Sequence, residues 1–99
     1  MYNDKFIWDA NKYITNIDKH RITFEEASTV FDDDSAVYFD DESHSQDEER
    51  FIVIGMSEKP RMLMVCHCYR NGDRFIRIIS ARKATKTEQK LYGGAHDYQ

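Results

Sequence analysis

No apolar run in this chain approaches the roughly 20 residues that a membrane-spanning helix needs, and residues 1–9 show no basic end followed by a long apolar stretch. The expected compartment is therefore the cytoplasm, with no membrane partner. Glycine is scarce, at four residues, and none sits in a loop built to cradle phosphate; Gly72, Gly93 and Gly94 read as turn and helix-end residues. The two cysteines, Cys66 and Cys68, alternate on one face of an apparent strand with His67 on the other. They are read as reduced, buried thiols, since two ligands on one face are too few for a structural zinc site. The acidic run 32–34 lacks the alternating ligands of a calcium loop. Neither a metal nor a cofactor is expected.

What the chain has is enough apolar material for one core: 99 residues, 40% hydrophobic and 13% aromatic, fit a single domain over 1–99. Its net charge of −4 hides an asymmetry. Residues 1–58 hold 5 basic and 15 acidic side chains, a balance of −10, and residues 59–99 hold 9 and 3, a balance of +6. Nine of the acids fall in 32–49, which has no base. The basic C-terminal half is the half suited to an anionic partner.

The pattern predicts an α+β fold. Phe6-Ile7-Trp8 reads as a short strand or packed arm, followed by a helix capped by Asp9 with Ala10, Tyr13, Ile14 and Ile17 on its buried face. Thr23 and Glu26 have capping-box spacing and open a second short helix, which makes an N-terminal helical hairpin. Strands follow at 36–39, 51–56, 62–69 and 75–79, separated by a polar loop over 40–47, a turn at 57–60 and the hairpin signal Asn71-Gly72. The last three form an antiparallel meander. From Lys83 the pattern changes to a short polar helix ending at Gly93-Gly94, with Leu91 and Tyr92 behind it.

Arginine carries the clearest chemical signal. Arg61 and Arg70 bound the third of these strands, Arg74 and Arg77 lie on or beside the fourth, and Arg82 follows it. Arg77, between Ile76 and Ile78, is half-buried and needs an anion: a carboxylate such as Glu49 or Glu88, or a phosphate that fits its planar fork. His67 reads either as a satisfied sheet histidine or as a proton carrier, and His20 either as a helix-end cation or the same. His44 and His96 lie in the acidic loop and the tail and carry little weight.

The order Phe6-x-Trp8-Asp9, Lys12, Asn16, Lys19-His20-x-Ile22-Thr23-Phe24-Glu25-Glu26-Ala27, Glu49-x-Phe51 and Arg77-Ile78-Ile79-Ser80-Ala81-Arg82-Lys83-Ala84, with Gly55, Arg61, Arg70, Glu88 and Tyr92 in register, resembles the BrnT family of toxins from bacterial type II toxin–antitoxin pairs. The resemblance covers most of the chain. It implies a compact RelE-like fold, RNA cleavage that slows translation, and neutralisation by a BrnA-like ribbon-helix-helix antitoxin through which operator DNA is reached. Arg21 stands where the family usually has glycine, and Ala10 replaces a common proline.

The expected activity is that of a metal-independent endoribonuclease, in which a 2′-hydroxyl attacks the adjacent phosphate. Such chemistry needs fixed positive charge, a proton acceptor and a proton donor. Arg77 and Arg82 are assigned to charge stabilisation, Tyr92 or His67 to proton supply, and Glu49 to orienting an arginine or acting as base. Arg61, Arg70, Lys19, His20 and Lys83 are candidates for holding RNA, and Glu88 and Arg50 for structural support. Two rivals stand beside this reading: a non-catalytic module for antitoxin binding and operon autoregulation, and a small nucleic-acid-binding domain without scission.

Overall fold

The computed structural model describes residues 5–42 and 48–93. The loop expected over 40–47 is thus covered only at its start, and His44, Gly94 and His96 lie outside the described residues. Five strands form one mixed sheet: β1 (Phe6–Ile7), β2 (Val37–Asp40), β3 (Phe51–Met56), β4 (Met62–Arg70) and β5 (Phe75–Lys83), in the spatial order β1-β5-β4-β3-β2. Strands β2 to β5 make an antiparallel meander, as short connections favour. β1 adds a parallel edge, with Phe6 opposite Ile76 and Ile7 opposite Arg77, so the sheet is mixed.

Helix α1 (Ala10–His20) starts where Asp9 accepts a hydrogen bond from the Lys12 backbone N–H at 3.0 Å. Its buried residue differs from the expected apolar face: Ile14 is 64% exposed and Asn16 is buried. The cause is the edge of β5, which β1 leaves uncovered after two residues. There the Asn16 amide stands in for a neighbouring strand, donating to the Ala81 carbonyl at 2.8 Å and accepting from the Ala81 N–H at 3.0 Å. A third bond, to the Ile22 carbonyl at 3.0 Å, ties the chain leaving α1 to the same amide.

Helix α2 (Phe24–Thr29) is capped by Thr23, which accepts from the Glu26 N–H at 3.0 Å. The reciprocal half of the expected capping box is not made, because the Glu26 carboxylate bonds Arg61 and Ser57 instead. Both helices cover one sheet face. Ile22, Phe24, Ala27 and Val30 meet Val53, Leu63, Val65, Ile76, Ile78 and Ala81 in the main core, and each large apolar side chain buried there contributes roughly 1.5–3 kcal/mol. Gly55 lets this layer close: a Cβ on it would lie 2.9 Å from both Ala36 Cβ and Val30 Cγ1.

β5 runs four residues past its expected end, since residues 80–83 pair with the beginning of β4. The last helix, α3 (Lys86–Gln89), consequently begins at Lys86 rather than Lys83. Thr85 and Glu88 start it with a full capping box.

Candidate functional site

Side chains alternate faces along a strand, so two residues separated by five positions belong on opposite faces. Arg77 and Arg82 do not obey this. Cys66 pairs with Ser80 and His67 with Ile78, which leaves Ile79 without a partner in a β-bulge. The extra residue rephases the strand. Cross-strand pairs Cys68–Arg77, Cys66–Ser80 and Met64–Arg82 then place both arginines and Ser80 on the face turned away from α1 and α2.

The two arginines differ in what they hold. Arg82 is gripped by Glu88 through Nη1–Oε1 at 2.8 Å and Nη2–Oε2 at 2.7 Å, and it also approaches Met64 Sδ at 3.3 Å. This paired guanidinium, together with the Thr85 N–H, brings the Glu88 carboxyl down to about 2. Arg77 makes no hydrogen bond or ion pair with a described residue: of the two carboxylates expected for it, Glu88 belongs to Arg82 and Glu49 is exposed beside Phe51 and Tyr69. Tyr92 gives its hydroxyl to Asp33 Oδ2 at 2.7 Å, and that bond to a carboxylate raises its pKa and keeps the phenol protonated. Asp33 Oδ2 also accepts from the Met56 N–H at 2.8 Å.

The other candidates are dispersed. His67 lies on the helix-covered face, fully buried among Phe31, Tyr38, Phe51 and Tyr69, and burial pushes it down to about 4. It does not share a site with the arginines. Arg61 forms a two-pronged pair with the buried Glu26, at 2.7 and 2.6 Å, fixing α2 to the β3–β4 turn. That pairing holds the Glu26 carboxyl below its usual range. Glu48 pairs with Arg70 at 2.7 Å and with Arg50 at 3.5 Å. Glu49 is exposed beside Phe51, Tyr69 and Gly72, away from Arg82. Lys83 is exposed at the end of β5, and Lys19 and His20 are exposed on the last turn of α1 beside Ser80.

This arrangement offers one guanidinium with no partner among the described residues and one pre-oriented guanidinium on a rigid strand, suited to stabilising charge on a phosphate. Nucleophilic thiol chemistry is disfavoured: burial and the nearby Asp41 carboxylate push Cys66 up to about 12, so its thiolate is not populated near neutrality. No cluster of three or more metal-ligating side chains occurs among the described residues, and no helix among them is long and apolar enough to cross a membrane. Asn16 and Asp33, which serve the sheet edges, were not singled out as functional from sequence. In the sequence Asn16 stands only among the residues that carry the family resemblance, with no role attached.

A helix layer on one face of a mixed sheet, with arginines on the other, defines a RelE-like ribonuclease-toxin fold. The 1.1 Å crystal structure of the Brucella abortus ribonuclease toxin BrnT is similar to it with a TM-score of 0.64 and 27% identity, over 85% of this chain and 100% of that one. Residues 8–88 match the family described as the ribonuclease toxin BrnT of type II toxin–antitoxin systems, and the chain belongs to that family. It is a toxin component of such a system. No curated protein matches it.

Proposed function

We propose that this toxin is a metal-independent endoribonuclease that inhibits translation by cutting RNA at the Arg77–Arg82 face. The observation that carries the reading is the bulge-aligned pair of guanidiniums, of which Arg77 has no partner among the described residues. The 2′-hydroxyl gives its proton to water and its oxygen attacks the neighbouring phosphorus as the bond to the 5′-oxygen breaks; the departing oxygen takes up a proton, giving a 2′,3′-cyclic phosphate and a 5′-hydroxyl. Negative charge gathers on the non-bridging oxygens during this exchange. Arg77 meets it directly, and Arg82 meets it from a geometry that Glu88 has already set. The departing oxygen is protonated by water, because the Tyr92 phenol is held by Asp33, which lies against Val30 and Gly55 on the helix-covered side. His67, on the far face, and Glu49, away from Arg82, are left out of this mechanism. The partner is a BrnA-like antitoxin, with operator DNA reached through it.

One observation favours the non-catalytic module instead: Arg82 and Tyr92 are both engaged by carboxylates of the chain itself. Cleavage of a long single-stranded RNA by antitoxin-free protein in chelator separates the two. The ribonuclease reading expects products from the parent protein and a loss of at least about 100-fold in folded R77A/R82A, the scale for removing charge stabilisation of a transition state. Intact RNA with both proteins overturns it.

A further inference from the structure

Four arginines among the described residues, Arg50, Arg61, Arg70 and Arg82, are paired with carboxylates. Three cations without such a partner among the described residues lie together. Lys12, Lys19 and His20 line a cleft of about 360 Å³ between α1 and the bulge of β5, and no acidic residue is among its lining. None of the three side chains has a carboxylate partner among the described residues. Positions 12, 15, 16 and 19 fall on one face of α1, so the two lysines and Thr15 point along the cleft that Asn16 holds shut at its base by its bonds to Ala81.

Ser80 forms the opposite wall. It is exposed, and it stands on β5 between Arg77 and Arg82 on the same face as both. The cleft thus meets the arginine face at Ser80.

We infer that the α1–β5 cleft is a second phosphate subsite, which takes the RNA backbone next to the phosphate held at Arg77. The lysines supply charge, and the Thr15 and Ser80 hydroxyls supply donors. A phosphodiester is favoured over an acidic polypeptide because the cleft shares Ser80 with the arginine face and combines two ammonium groups with hydroxyl donors on both walls. The choice of RNA as ligand rests on the ribonuclease reading, whereas the binding site does not require cleavage.

The test measures binding of a 2′-O-methyl oligoribonucleotide, which cannot undergo 2′-oxygen attack, by fluorescence anisotropy over a range of salt concentrations. K12A/K19A is expected to bind about tenfold or more weakly at low salt, with the log–log salt slope reduced by about 1.4, since each phosphate contact in a single strand contributes about 0.7. K59A/K90A removes the same charge from exposed positions outside the cleft and is expected to stay close to the parent. Equal losses in the two variants, or no loss in K12A/K19A, overturn the subsite. So does a K12A/K19A variant that loses binding of a polyglutamate peptide but keeps the oligonucleotide. A parent protein that binds through the cleft yet leaves RNA intact overturns the ribonuclease reading alone, and one that cleaves with an unchanged K12A/K19A affinity overturns the subsite alone.

Discussion

Arg21 ends α1 at φ 60 and ψ 31, in the left-handed region, where its N–H donates to the Ile17 carbonyl at 2.9 Å. A residue with a Cβ pays roughly 1–2 kcal/mol there, and glycine pays no such steric cost. Arg21→Gly is therefore expected to stabilise the protein by about 1 kcal/mol, part of the gain being offset by the greater freedom of glycine in the unfolded chain. Urea denaturation measures it; an unchanged or lower midpoint contradicts the strain. The same scale separates residues that look alike in the sequence. Arg61, Arg77 and Arg82 are equivalent as letters, yet Glu26 holds the first, Glu88 holds the third, and no described residue holds the second.

At the scale of elements, local signals identified what local physics decides. Asp9 caps α1, Thr23 caps α2, and Asn71-Gly72 turns β4 into β5 with both residues at positive φ. The features that build the site are pairings between distant segments: the parallel addition of β1, the unmatched Ile79, and the use of Asn16 at the sheet edge. None leaves a periodic trace in its own window. Nothing near Asn16 in the sequence points to this role, because its partner, Ala81, is 65 residues away. Asn16→Ala leaves the Ala81 N–H and carbonyl and the Ile22 carbonyl without this partner, at an expected cost of about 2–4 kcal/mol. Chemical denaturation tests the cost, and a variant within about 0.5 kcal/mol of the parent, the range of ordinary surface changes, would show that the amide is dispensable.

For the whole molecule, pH acts through the buried face as well as the exposed one. His67 titrates at about 4 when folded, against roughly 6.5 when unfolded. Between those values the unfolded chain binds a proton that the native one refuses, so stability falls as pH drops, by about 1.4 kcal/mol per unit and about 3 kcal/mol in all. Glu88 acts lower, since its contribution is complete above its unfolded pKa and is lost as pH falls towards about 2. His67→Phe, which keeps an aromatic ring among Phe31, Tyr38, Phe51 and Tyr69, is expected to flatten the stability profile between pH 6.5 and 4 while leaving RNA cleavage intact. A slope that persists in that variant assigns the loss to other groups. The bulge, too, has a consequence for the chain as a lineage. Because one unmatched residue lies between Arg77 and Arg82, their odd separation is compatible with a shared face. A relative that keeps both guanidiniums on this surface must either retain the extra residue or change the separation to an even number. An insertion or deletion between them is therefore tolerated only in pairs, or together with gain or loss of the bulge, so the parity of the arginine spacing records whether that strand is bulged.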